Sequence, residues 1–74
     1  MLAAVVLHVL VHEARDGIDL PRLARACERD PEDPAQADEV RAAAESLLAD
    51  GLATRERESF EPTRAALRAA ELSF

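Results

Sequence analysis

Apolar residues recur over the first fifteen positions at helical spacing and then spread beyond it. Ala3, Val6, Leu7, Leu10, Val11 and Ala14 define one face of a helix over residues 2 to 15. Leu2, Val5 and Val9 carry the apolar surface around the side, leaving a polar wedge of His8, His12 and Arg15 with Glu13 next to it. A helix apolar over most of its circumference must be covered on two sides. In a chain of 74 residues, a second copy is the expected cover. Leu2, Val5, Val9 and His12 are the residues this reading places in a dimer interface.

Asp16-Gly17 is a turn signal, and Gly17 is expected to end the first helix. A short extended piece, Ile18-Asp19-Leu20, follows. Asp19 is placed to cap a second helix, and Pro21 is tolerated in its first turn. Leu20, Leu23, Ala24 and Cys27 make its buried stripe, with Ile18 and Leu23 as a hydrophobic staple, and the helix runs to Cys27 or Glu28. The acidic connector RDPED, residues 29 to 33, cannot continue it, because Pro31 restricts Asp30 and removes a donor. Asp33, Pro34 and Gln36 then have the layout of a capping box, so a third helix is expected from Pro34 to about Asp50. Gly51 supplies the left-handed residue that closes it.

Beyond Gly51 the period changes from helical to alternating. Leu52, Thr54 and Glu56 point one way and Ala53, Arg55 and Arg57 the other, and Ser59-Phe60-Glu61 follows. Two short strands with a tight turn between Arg57 and Ser59 fit this pattern. Pro62 and Thr63 open a fourth helix, with Thr63 as its cap and Leu67, Ala70 and Leu72 facing inward. Phe74 is expected to pack back onto the core or a partner. The fold class is therefore mainly α with a small β-hairpin, in a single domain over residues 1 to 74.

Composition narrows the functions open to such a chain. The net charge is -6, from nine arginines, no lysine and fifteen acidic residues spread along the sequence. A dispersed acidic surface is a habit of proteins that work in concentrated salt. The only aromatic residues are Phe60 and Phe74, so bases have no aromatic platform to stack on. One cysteine, Cys27, allows no internal disulfide and suits a reducing cytoplasm. The apolar run at residues 1 to 11 is too short to span a bilayer and has no basic region before it, so no membrane association is expected.

The stretch LLADGLATRERESFEPTRAAL, residues 47 to 67, carries a resemblance. It is similar to the winged helix-turn-helix family, in which L..DGL closes the third helix and F.PT leads out of the wing into a last helix. The resemblance covers nearly the whole chain and implies a three-helix core plus wing and C-terminal helix. It makes residues 34 to 50 the recognition helix, directed at a major groove, with Arg55 and Arg57 meeting the phosphate backbone from the wing. The DNA-contacting residues it implies are Gln36, Glu39, Arg41, Ser46, Arg55 and Arg57. The implied function is that of a DNA-binding, transcriptional-regulator-type protein acting as a dimer on double-stranded DNA.

The charges of the third helix support an alternative. Its inner face is set by Ala37, Val40, Ala44, Leu47 and Leu48, which leaves Ala35, Asp38, Glu39, Ala42, Glu45, Ser46 and Ala49 outside. That outer face holds three carboxylates and no arginine, and Arg41 lies at its edge. A carboxylate can read a cytosine amino group but repels the phosphates around it. The alternative is a protein-protein interaction or dimerisation module that does not bind DNA and whose acidic face meets a basic protein partner or simply solvent.

Other features take plainer readings. Arg22, Arg25 and Arg29 form a stripe along the second helix, read as a solvated face paired with Asp19 and Glu28. His8 and His12 stand four apart, but two ligands without a third make a poor metal site. Cys27 reads as a small buried hydrophobe whose pKa Glu28 and Asp30 would raise. No loop is long enough to build a water-excluded pocket, so neither catalysis nor a cofactor is expected.

Overall fold

The computed structural model describes residues 2 to 72, with side chains as far as residue 71. The elements follow the order α1 (Leu2–His12), β1 (Ile18–Asp19), α2 (Leu20–Ala26), α3 (Pro34–Ala49), β2 (Ala53–Glu56), β3 (Ser59–Pro62) and α4 (Arg64–Leu72). The chain is thus mainly helical with a small antiparallel sheet in the order β1-β3-β2. The core is built from Val6, Val9 and Leu10 of α1, Leu23 and Ala24 of α2, Val40, Ala44 and Leu47 of α3, and Phe60 of β3.

Each junction has a local cause. α1 stops at His12, three residues before the expected end, although Glu13 N still donates to Val9 O at 2.8 Å. The side chain of Arg15 turns back instead, and its Nε donates to Val11 O at 2.8 Å, satisfying a carbonyl that the helix leaves open. Gly17, at φ 104°, then carries the chain into β1. A Cβ at this glycine would stand 2.5 Å from Ser59 Oγ, so the close approach to β3 requires its absence.

Asp19 caps α2 as expected, its Oδ1 accepting from Arg22 N at 3.0 Å, while Ile18 and Leu23 occupy the staple positions within the core. The end of α2 differs from the sequence reading. Glu28 N donates to Arg25 O and Arg29 N to Ala24 O, which is a Schellman closure with Glu28 in the left-handed position at φ 59°. Asp33 caps α3 through Ala35 N at 3.0 Å. Gln36 does not complete the box on Asp33 N. Its Nε2 donates to Asp33 Oδ2, and its Oε1 accepts from Asp30 N at 2.8 Å, so it ties down the connector.

α3 closes with the same Schellman pattern as α2: Gly51 N donates to Leu48 O and Leu52 N to Leu47 O, with Gly51 at φ 76°. The following hairpin is anchored to this closure. Thr63 N donates to Leu52 O at 3.0 Å, and Thr63 Oγ1 donates to Gly51 O at 2.8 Å while accepting from Ala66 N at 3.2 Å. One hydroxyl therefore joins the end of α3 to the start of α4. In α4 the buried contact is Ala66, with Leu67 and Ala70 half-buried. The expected packing of the Leu72 side chain and of Phe74 lies outside the described side chains.

Candidate nucleic-acid interface

The outer face of α3 is exposed along its whole length, from Ala35 through Asp38, Glu39, Ala42, Glu45 and Ser46 to Ala49. Two of its carboxylates have partners. Arg41 Nη1 donates to Asp38 Oδ1 at 3.0 Å, and Glu39 Oε2 lies 3.6 Å from Arg29 Nε. Exposed pairs of this kind contribute at most about 1 kcal/mol. Their larger consequence here is that Arg41 is partly neutralised on the face that carries it. Gln36, one of the implied base-reading residues, is half-buried and used by the connector, so it is not a free contact. Ser46 is exposed on the outer face with no hydrogen bond from its side chain among the described residues.

The hairpin separates Arg55 from Arg57. Glu56 pairs with Ser59, so the turn consists of Arg57 and Glu58 alone, and Arg57 takes φ 58°. That value suits glycine and asparagine better than arginine. Arg57 therefore sits at the turn and not on the strand face it was expected to share with Arg55. Arg55 is opposite Phe60 in the ladder, its guanidinium 6.0 Å from the centre of the Phe60 ring and its Nε donating to Arg57 O at 3.0 Å. The ring and the carbonyl both favour this position of the guanidinium.

Arg41 and Arg55 come together in one groove of about 360 Å³ between α3, the hairpin and the start of α2. Leu20, Pro21 and Phe60 supply its apolar lining, and Asp19 and Glu58 its acidic groups. Sequence reasoning missed these five because the register that sets Arg55 over Phe60 depends on a two-residue turn with no Asn-Gly or Asp-Gly signal. Gln36, Glu39 and Ser46 do not line this groove.

The basic stripe on α2 does not form as expected. Arg29 lies past the end of the helix, where its backbone completes the closure and its side chain turns to Glu39, with Nε buried and lacking a hydrogen bond. Arg22 stays exposed, 4.0 Å from Asp19, and among the described residues Glu28 forms no ion pair. Cys27 is buried, and burial pushes its thiol pKa up from 9.0, with Arg29 pulling the other way and Glu13 adding to the rise. The carboxylate that acts on the thiol is Glu13, in place of Glu28 and Asp30.

On the opposite side, α1 meets α4 along an apolar cleft in which Ala4, Leu7 and Val11 face Ala66 and Ala70, with His8 and His12 also lining it. The two imidazole rings are 4.4 Å apart. Of the residues expected in a dimer interface, Val9 is 2% exposed and belongs to the chain's own core, and Leu2 packs partly against it. Val5, at 44%, and His12 are exposed. α4 thus provides part of the cover expected from a second chain. Among the described residues, no cluster of three or more His, Cys, Asp or Glu could hold a metal ion, and no helix is long and apolar enough to cross a membrane.

No protein-family profile, curated protein or solved structure matches the chain.

Proposed function

We propose that this chain is a winged helix-turn-helix domain that contacts double-stranded DNA as a dimer. The observation that carries this reading is the convergence of Arg41, on the third helix, and Arg55, on the following hairpin, in one groove. The element order and the third strand formed by Ile18–Asp19 are compatible with that family's layout. In this reading Arg41, Arg55 and Arg57 meet phosphates, while the acidic outer face of α3 keeps the helix from seating deeply. Contact is therefore with the backbone more than with base edges. The dimer forms along α1, with Leu2, Val5 and His12 at its seam and Val9 excluded from it by burial.

Fluorescence anisotropy with a generic duplex, from low to multimolar salt, tests the proposal. Three phosphates neutralised per copy, about six for the dimer, give a slope of log K against log salt of about -5.4. Absence of binding at protein concentrations on the order of tens of micromolar, in every salt condition where the chain is folded, refutes DNA contact. Light scattering tests the dimer, and Val5→Glu should convert it to a monomer of unchanged fold. A monomer already in the wild type at high concentration refutes the seam.

A second reading keeps the scaffold and drops the DNA. It is favoured by Asp38, Glu39 and Glu45 on the exposed face of α3 and by the Asp38 contact that occupies Arg41. In that reading α3 docks a basic protein surface. A null duplex titration, together with salt-sensitive binding of a basic protein that is lost on neutralising those three carboxylates, supports it.

A further inference from the structure

The groove between α2, α3 and the hairpin carries more chemistry than a phosphate contact uses. It brings two guanidinium groups, two carboxylates and an apolar surface of Leu20, Pro21 and Phe60 into about 360 Å³, at the small end of the range for small-molecule sites. A simple anion meets Glu58 there, a simple cation meets the arginines, and a hydrocarbon leaves Glu58 and most guanidinium donors unused. The complementary ligand is a zwitterion with an apolar body. We propose that the groove binds a free α-amino acid with an apolar side chain.

The hydrogen bonds already made decide which group serves which end. Arg55 uses Nε on the Arg57 carbonyl, and Arg41 uses Nη1 on Asp38, so most of the five N–H donors of each guanidinium stay available to a carboxylate. The Phe60 ring, 6.0 Å away, and the bond to Arg57 O bias Arg55 toward this position before any ligand arrives. Asp19 is committed to the α2 cap, with its second oxygen near Arg22. Glu58 accepts no hydrogen bond among the described residues, and its exposed carboxylate is the partner for the ammonium group. The apolar side chain covers Leu20, Pro21 and the Phe60 edge. The inference rests on the groove alone and stands whether or not duplex DNA is bound. If both ligands bind, they share Arg41 and Arg55 and compete.

The test is an amide-resolved NMR titration of the full chain with L-phenylalanine, 3-phenylpropanoate and 2-phenylethylamine, the last two lacking the ammonium and the carboxylate respectively. Saturable shifts at Leu20, Arg55, Glu58 and Phe60 are expected with L-phenylalanine, with each analogue weaker by about fivefold, the size of one exposed ion pair. Glu58→Gln should weaken L-phenylalanine by a similar factor and bring 3-phenylpropanoate level with it. Arg55→Gln should do the same for 2-phenylethylamine. The proposal is overturned by the absence of saturable shifts, by equal binding of all three compounds to the wild type, or by a Glu58→Gln chain of native fold that keeps the wild-type order. A failed duplex titration does not touch it.

Discussion

α1 and α3 pack against each other across the core, and their outward faces are opposites. α1 has no carboxylate or guanidinium anywhere along Leu2–His12, and its uncovered surface is Val5, Ala4 and two imidazoles. α3 exposes Asp38, Glu39, Arg41 and Glu45. In a molecule of charge -6, the α1 side is where a second copy approaches with the least repulsion, and the α3 side has to be solvated or met by positive charge. The two faces therefore suit different surroundings, although both helices are held by the same apolar cluster.

The sharpest way to break this contrast is to place one charge on each side of the boundary that burial draws on α1. Val9→Glu buries an unpaired carboxylate and should cost about 4 kcal/mol or more, a large part of the total for a chain of this length. Val5→Glu, four residues earlier and exposed, should change monomer stability by no more than ~0.5 kcal/mol in urea denaturation. Equal losses from the two would show that the inward and outward sides of α1 are misassigned.

For α3 the matching experiment removes charge. Asp38→Asn, Glu39→Gln and Glu45→Gln together should raise duplex affinity about tenfold at low salt, at ~0.5 kcal/mol for each exposed carboxylate. Anisotropy measures this directly, and an unchanged affinity would mean that the outer face of α3 is turned away from phosphates.

Thr63→Val keeps the side-chain shape but deletes both hydrogen bonds that join the end of α3 to the start of α4. It should cost ~1–2 kcal/mol in urea denaturation. A smaller pair of effects compares the two Schellman closures. Gly51→Ala meets no atom within 4 Å and should lose about 1 kcal/mol through its left-handed backbone alone, whereas Glu28→Gly should gain up to ~1 kcal/mol by relieving the same strain. Thermal unfolding reads both, and a loss on Glu28→Gly would show that the left-handed Glu28 is not strained.

The smallest expected effect concerns pH. The folded state holds the Cys27 thiol pKa above 9.0, so the folded chain keeps a proton that the unfolded chain releases. The thiol's contribution is whole below pH 9.0 and declines as pH rises toward the folded pKa. Melting temperature should therefore fall more steeply above that pH in the wild type than in Cys27→Ala. Identical slopes would remove the burial argument.

Much of this architecture was legible in the residues. Asp19, Asp33, Gly51 and Thr63 announced three helix starts and one helix end because each acts on backbone groups within a few positions of itself. The outer face of α3 was legible for a similar reason, since helical spacing alone sorts Asp38, Glu39 and Glu45 from Val40, Ala44 and Leu47. Glu28 escaped notice because a left-handed residue is looked for at glycine, and here the closing hydrogen bonds outweigh the strain on a glutamate. Ala66 was missed because alanine on α4 gives no signal that distinguishes a tight contact from an exposed position.

The candidate groove was less legible. Arg41 and Arg55 could be named as basic residues near the third helix and the hairpin, but their meeting depends on the pairing of Arg55 with Phe60 and on where the hairpin leans. A change of one residue in the turn would have moved Arg55 to the other face of the strand.

What the residues determined by themselves was local: where helices begin, where a left-handed turn is needed, and which side of α3 is charged. These follow from hydrogen bonds and periodicities that span only a few positions. Which parts of α1 are covered by α4 and which remain open, and which arginines share a groove with Phe60, was decided by the tertiary structure. Those outcomes depend on contacts between segments far apart in the chain, and an apolar helix surface does not encode whether its cover comes from the same chain or from another.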